Sequence, residues 1–269
     1  MEKIGLLAGT GRLPVECAIA AKKLGYEVYA VGLIPDVDPE LKECTAGYKD
    51  ISIAQLQAII DYLKENDVKK VTMLGKVTKE ILYSGQHVQP DLRMLSLIFT
   101  LPDRKDDTLM LSFVAELAKD GLEALDQTAL IKALMPEPGV LTKRQPTEDE
   151  IKDMKFGMEM AREVGRLDVG QTAVVKQLGV MALEAIEGTD ACIRRGGELA
   201  RGGAVVAKVA KPNQDLRFDV PAVGMTTLES MIAVGAKALV IEAGRTLLVD
   251  KAKVVELADA NDITIAVME

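Results

Sequence analysis

The chain has 269 residues, enough for one large domain or two ordinary ones with a substantial core. Its formal net charge of -8 argues against bulk nucleic-acid binding and against a polybasic membrane anchor. Aromatic residues make up 3% and tryptophan is absent, so the core must be built from Val, Ile, Leu, Ala and Met.

The first part alternates short apolar runs with amphipathic stretches. Residues 3–8 read as a buried strand, and residues 14–24 as a helix that tolerates Pro14 in its first turn. A second strand follows over residues 26–32. Residues 53–65 place Leu56, Ile59, Ile60 and Leu63 on one face of a helix. A third strand is expected over residues 70–74. This βαβαβ order implies a parallel sheet with right-handed crossovers. Helices are expected over residues 92–100, 108–119 and 127–134.

Residues 136–150 change character, with Pro136, Pro138, Pro146, Gly139 and mixed charges. They read as a connection between an N-terminal domain, 1–135, and a C-terminal domain, 151–269. Thr147 and Glu150 form the pattern of a capping box that opens a helix to residue 164. Beyond it, strands over 172–177 and 180–187 read as a hairpin around Leu178 and Gly179. A helix over 191–200 and a strand over 204–211 come next. The tail reads as helix (228–234), strand (239–242), short strand (246–249), helix (251–261) and strand (263–268).

Several motifs carry candidate chemistry, each with a plainer reading beside it. Gly9, Thr10 and Gly11 follow the first strand and suit a phosphate loop, or simply a tight turn. Pro14 at the third glycine position, and a second strand with no acid at its end, weaken a dinucleotide fingerprint. Lys76 after the third strand is a phosphate partner or a solvated lysine. Asp103, Asp106 and Asp107 suit a hard metal, or the N-cap of the next helix. Glu187 and Asp190, followed by Arg194 and Arg195, suit a metal–phosphate site, or a plain N-cap at Asp190. Between Pro212 and Pro221, an extended segment would project Asp215, Arg217 and Asp219 from one face, because side chains alternate. That triplet suits metal and phosphate together, or a salt-laced edge strand. His87 is the one histidine, which excludes a multi-histidine metal site. No G-x-S-x-G elbow accompanies it, so a Ser-His-Asp hydrolase is disfavoured.

Three stretches together resemble one family: LLAGTGRLP, LDVGQTAVVKQLGVMALEAIEGTDACIRR and KVAKPNQDLRFDVPAVGMTTLE. They are similar to the UDP-2,3-diacylglucosamine pyrophosphatases of the lipid A pathway, the type found in bacteria lacking the calcineurin-like enzymes for that step. The resemblance implies two α/β domains, the first Rossmann-like and the second peculiar to the family, with the substrate between them. It implies hydrolysis of UDP-2,3-diacylglucosamine to UMP and 2,3-diacylglucosamine 1-phosphate, with water attacking the α-phosphorus and Mg²⁺ or Mn²⁺ required. It places the essential aspartate at Asp219, with Asp215 second.

The residue chemistry agrees with that implication. Asp215, Asp219, Asp190 and Glu187 offer carboxylates for the metal. Lys176, Lys208, Lys211, Arg194 and Arg217 offer cations for the phosphates, with Lys76, Thr189 and Gln214 as further substrate contacts. Residues 9–11 would hold the UDP end. Methionines over 154–160 would line an acyl cleft, or else pack in the core. Two other readings stay open: a non-catalytic nucleotide-binding regulatory module, and a nucleotide-dependent oxidoreductase.

Cys17, Cys44 and Cys192 stand far apart, which suits reduced, structural thiols. No signal-peptide layout is present, and no apolar run approaches the roughly 20 residues that span a bilayer. The expectation is a cytoplasmic protein, peripheral at the cytoplasmic face of the inner membrane. It acts on a lipid-linked UDP-sugar and not on nucleic acid, and a homodimer stays open.

Overall fold

The computed structural model describes residues 1–77, 89–103, 106–126, 128–212 and 220–269. His87, Gln214, Asp215, Arg217 and Asp219 lie outside the described residues. The described chain forms two compact units, residues 1–131 and residues 132–212 with 220–269.

The first unit runs β1 (Glu2–Ala8), α1 (Leu13–Lys23), β2 (Tyr26–Gly32), α2 (Leu41–Cys44), β3 (Gly47–Asp50), α3 (Leu56–Glu65), β4 (Lys70–Leu74), α4 (Leu92–Thr100), α5 (Asp106–Lys119), β5 (Glu123–Ala124) and α6 (Thr128–Ile131). Its strands form a parallel sheet in the order β3-β2-β1-β4-β5, a Rossmann-like arrangement that reverses direction between β1 and β4. Leu7, Val31, Val71 and Met73 pack with Leu56, Ile59, Ile60 and Leu63 of α3, and with residues of α4 and α5. Alternate strand positions Leu6, Val28 and Ala30 are equally buried, and α1 packs on the same strands. Burial on both faces explains why these strands read as continuous apolar runs.

Sequence reading missed β3 and β5. Both are short and lie at the sheet edges, where backbone pairing needs no apolar pattern. The helix expected from residue 53 begins at Leu56. Residues 52–55 form a turn closed by Gln55 N–H on Ser52 O, and the Asp91 carboxylate accepts from Gln57 N–H at 2.6 Å. The same carboxylate caps α4 through Met94 N–H at 2.8 Å, so one side chain closes two helix ends.

The second unit runs β6 (Gly139–Val140), α7 (Glu148–Arg166), β7 (Thr172–Lys176), β8 (Gly179–Leu183), α8 (Thr189–Ala200), β9 (Val205–Lys208), β10 (Ala222–Val223), α9 (Met225–Ala233), β11 (Ala238–Glu242), β12 (Leu247–Leu248), α10 (Lys251–Ala260) and β13 (Thr264–Met268). Its main sheet has the order β6-β13-β11-β9-β7-β8, with β9, β11 and β13 parallel and the other three strands antiparallel to their neighbours. Ala173, Val175, Ala207 and Val240 face Met154, Met158 and Ala161 of α7. Val174, Val206, Leu239 and Ile265 face the cluster built by α8, α9 and α10. A Cβ on Gly157 would stand 3.0 Å from the Ala207 Cβ, so the glycine lets α7 lie close to the sheet.

Two expectations are corrected here. The connection at residues 136–150 is largely part of the second unit: β6 pairs with β13, and Arg144 joins Glu150 and Thr264. The capping box itself is present, with both Thr147 and Glu150 bonds made. The expected hairpin turns at Gln177 and Leu178, both left-handed, and β8 ends at Leu183 rather than at Glu187. Left-handed non-glycine residues cost on the order of 1 kcal/mol each. The buried Asp153 carboxylate offsets this by accepting from both turn N–H groups, at 2.8 and 2.7 Å. Met154 and Met158 pack in the core against β7 and β9, the second of the two readings given for them. Among the described residues, no helix is long and apolar enough to cross a membrane.

Candidate functional site

In an open parallel sheet, ligands gather beyond the carboxyl ends of the strands, where the strand order reverses. In the first unit, backbone bonds bridge the loops at that place, after β1 and β4. Thr10 N–H donates to Lys76 O at 3.0 Å, and Lys76 N–H donates to Thr10 O at 3.1 Å. Gly9 N–H donates to Leu74 O at 2.8 Å. Two N–H groups expected to meet a phosphate are therefore spent within the protein. A Cβ on Gly9 would stand 2.6 Å from Lys76 O, and one on Gly75 2.7 Å from Thr10 O. Both glycines serve this close approach. Arg12 donates to Asp38 at 3.2 Å and to Glu40 at 3.0 Å, which neutralises the charge beside the loop. Lys76 meets the loop through its backbone, and its exposed side chain does not enter the bridge. Gly9 and Thr10 thus form a clasp rather than a phosphate cradle, and Gly11 stays exposed beside them.

The dinucleotide reading fails at the end of β2 as well. A Cβ on Gly32 would collide with the Tyr48 hydroxyl of β3. Asp50, paired with Gly32 across the sheet, accepts from Tyr48 at 2.6 Å and from Lys42 at 3.2 Å. The acid paired with the end of β2 is thus already committed.

The second unit gathers charge at the carboxyl ends of β9 and β11. Lys208 ends β9 and is 7% exposed, too buried to keep its charge without partners. Its Nζ donates to Thr189 Oγ1 at 3.2 Å and to Ala222 O at 2.8 Å. Thr189 in turn donates to Glu184 Oε1 at 3.0 Å, and Thr172 Oγ1 lies 3.3 Å from it. Glu184 is 8% exposed, and its other oxygen accepts from Gln171 N–H at 3.2 Å. Local chain geometry builds this array. Glu184 N–H extends the β7–β8 ladder onto Thr172 O, the chain then turns, and Gly188 with a positive φ starts α8 at Thr189.

A second buried acid, Glu242, ends β11. It accepts from Arg162 Nη2 at 3.1 Å and from Ala210 N–H at 3.0 Å. Lys211, the next residue, donates to Asp168 at 2.7 Å, and Arg245 donates to Lys211 O at 3.3 Å. Pro221 O accepts from Leu247 N–H at 2.8 Å. Lys211 and Pro221 are thus each held by a residue of the second unit, Arg245 and Leu247. Ala222, whose carbonyl bonds Lys208, follows segment 213–219 in sequence.

The remaining expected residues fall in different places. Lys176 belongs elsewhere: Thr172 pairs with Lys208 in the antiparallel β7–β9 ladder, so Lys176 stands at the far end of the sheet. Four residues of strand separate it from Thr172, roughly 13 Å. Its Nζ donates to Ala200 O and Gly202 O, both at 2.8 Å, and so caps the end of α8. It cannot brace the same phosphate as Lys208. Glu187 pairs with Arg195 and accepts from Ala185 N–H, and the Arg195 hydrogen bond holds its carboxyl below the usual range. Arg194 is exposed on α8. The Asp190 side chain, in the first turn of α8, makes no hydrogen bond or ion pair with a described residue.

Among the described residues, no group of three or more His, Cys, Asp or Glu stands positioned to hold a metal ion. Glu184, Glu187 and Glu242 are each committed to other partners. The described residues alone therefore do not make a metal centre. Sequence reading missed Glu184 and Glu242. In sequence Glu184 reads as the interior of a strand over 180–187, and the break in alternation after Leu183 is the available signal.

Fold and site together define a two-unit α/β protein with a Rossmann-like first unit and a buried cationic site on the second. The LpxI N-terminal domain family matches residues 3–134, and the LpxI C-terminal domain family matches residues 137–266. The chain belongs to the LpxI family. It is 33% identical over 267 residues to the UDP-2,3-diacylglucosamine pyrophosphatase LpxI of Caulobacter vibrioides, covering 96% of this chain and 95% of that one. It is also 26% identical over 193 residues to the bifunctional purine biosynthesis protein PurH of Rhizobium rhizogenes, covering 65% of this chain and 34% of PurH. Among solved structures, a UDP-glucose-4-epimerase from Stenotrophomonas maltophila aligns at a TM-score of 0.31 and 11% identity, over 45% of this chain and 34% of that one. That likeness is too partial to bear on activity.

Proposed function

We propose that this protein hydrolyses the pyrophosphate of UDP-2,3-diacylglucosamine to UMP and 2,3-diacylglucosamine 1-phosphate, a step of lipid A biosynthesis. The observation that carries the reading is identity along nearly the whole length of a UDP-2,3-diacylglucosamine pyrophosphatase. The reaction adds water to the α-phosphorus. The bond from that phosphorus to the bridging oxygen breaks, and the oxygen leaves with the sugar phosphate.

Lys208 is the described residue best suited to meet the phosphates. Its ammonium is buried and held by Thr189 Oγ1 and Ala222 O. A preorganised charge in a water-poor site stabilises developing phosphate charge far better than one in solvent. Lys211, Arg194, Arg217 and Gln214 are further contacts in this reading. Asp219 and Asp215, with Asp190 at the start of α8, would hold Mg²⁺ or Mn²⁺. The ion would neutralise the pyrophosphate charge as the bond breaks. The substrate carries acyl chains, so the protein would work in peripheral contact with the cytoplasmic face of the inner membrane, as a monomer or a homodimer.

The test is UMP release from UDP-2,3-diacylglucosamine in ¹⁸O-labelled water, with and without EDTA. Metal-dependent release with label in UMP is expected, and Asp219→Ala should abolish turnover while the fold persists. Label in the sugar phosphate would overturn attack at the α-phosphorus. No release with any divalent metal would overturn the enzymatic reading in favour of a nucleotide-binding module.

A further inference from the structure

We infer that Glu184 is a positioning residue for this reaction, acting through Thr189 on Lys208; the inference rests on the function proposed above. The three side chains come from β9, the start of α8 and the turn after β8, and they form one hydrogen-bonded chain. A hydroxyl has one proton and two lone pairs. Thr189 must accept from the Lys208 ammonium, which has donors alone, so its own proton has to go elsewhere. Glu184 Oε1, at 3.0 Å, is the acceptor that takes that proton. Thr172 then serves as a donor to Thr189.

The polarity of the chain is thereby fixed from the buried acid outward. The ammonium holds its three donors in a tetrahedral arrangement. Thr189 Oγ1 and Ala222 O each take one of them, which fixes the ammonium against the start of α8 and β10. Glu184 is itself held rigidly. Its second oxygen meets Gln171 N–H, and its backbone N–H meets Thr172 O at 2.9 Å. If its role were to tie the turn alone, the Gln171 bond would suffice. The other oxygen instead reaches the one hydroxyl that Lys208 uses. Burying a carboxylate costs free energy unless its charge is used, and here it sets the orientation of a cation two bonds away.

Glu184→Gln keeps the shape but can turn an amide N–H toward Thr189, which would swing the hydroxyl proton at the ammonium. The test measures kcat, KM and melting temperature for UDP-2,3-diacylglucosamine hydrolysis in wild type, Glu184→Gln, Thr189→Val, Thr189→Ser and the Glu184→Gln/Thr189→Val double variant. Glu184→Gln and Thr189→Val should each lower kcat roughly tenfold to a hundredfold, the scale of a small misplacement of a reacting group. KM should change little; Thr189→Val should lower the melting temperature, because it strips a partner from two buried charged groups, and Thr189→Ser should restore both melting temperature and kcat. The double variant should be no slower than the slower single variant, because both cut one chain. Wild-type kcat in Glu184→Gln, or fold-losses that multiply in the double variant, would overturn the inference. If Glu184→Gln does not fold, the Thr189 pair decides: wild-type kcat in Thr189→Val overturns it, and loss in Thr189→Val with recovery in Thr189→Ser upholds it. A wild-type protein that releases no UMP would overturn the functional reading and this inference with it.

Discussion

Thr10 and Lys76 exchange both backbone hydrogen bonds across the strand-order reversal of the first unit, at 3.0 and 3.1 Å. The pair ties together the two loops that flank the dinucleotide crevice in related sheets and uses the Thr10 N–H that would meet a phosphate. NAD should therefore give no stabilising shift in a thermal melt and no heat in calorimetry. Gly9→Ala should destabilise by about 1–3 kcal/mol, because its Cβ would press on backbone that has no flexible end to move. A melt of that variant equal to wild type would show that the two loops separate at little cost.

Lys176→Met separates structural from chemical cations. The ammonium holds two carbonyls at the end of α8, and each charge-assisted bond is worth about 1.5–3 kcal/mol at most. The melting temperature should fall while kcat for UDP-2,3-diacylglucosamine stays at the wild-type value. A kcat loss with an unchanged melt would return Lys176 to the phosphate site.

Asp91 closes two helix ends with one carboxylate, on Gln57 N–H and on Met94 N–H. Asp91→Ala should cost about 2 kcal/mol or more, since a single N-cap contributes about 1 kcal/mol. Chemical denaturation of the variant, read as a shift in midpoint at constant slope, checks this.

Arg144 binds Glu150 through two parallel bonds at 3.0 and 2.8 Å and also donates to Thr264 at 2.7 Å. Burial pushes the Glu150 carboxyl up, but Arg144 and the Thr147 N–H outweigh it and hold the carboxyl below its ordinary range. A carboxylate whose folded value is depressed adds stability that is complete above the unfolded value, near 4.3. That stability is lost as pH falls through the lower folded value. Glu150→Gln should therefore be less stable than wild type at pH 7, by on the order of 2 kcal/mol, and the two should converge in acid. A gap that stays constant with pH would mean the charge contributes nothing.

Much of the fold was legible in local pattern. Leu56, Ile59, Ile60 and Leu63 mark α3 by spacing alone, and Thr147 with Glu150 marks the start of α7. The apolar runs at 172–176, 205–208 and 238–242 announce strands covered on both faces. Edge strand β3 was illegible because Gly47–Asp50 pairs through its backbone and buries little. Of the candidate site, the segments could be picked out, but the partners could not. Lys176 and Lys208 look alike in sequence, each a lysine ending an apolar strand.

The sequence by itself determined the alternation of strands and helices, the faces they bury and the family to which the chain belongs. Those properties depend on residue types at short, regular spacings. The tertiary structure decided that Lys208 meets Thr189 and Glu184 while Lys176 caps a helix at the opposite end of the sheet. It also decided that the loops after β1 and β4 clasp each other. The reason is that register and strand direction, set by packing between distant segments, determine which end of a sheet each side chain occupies.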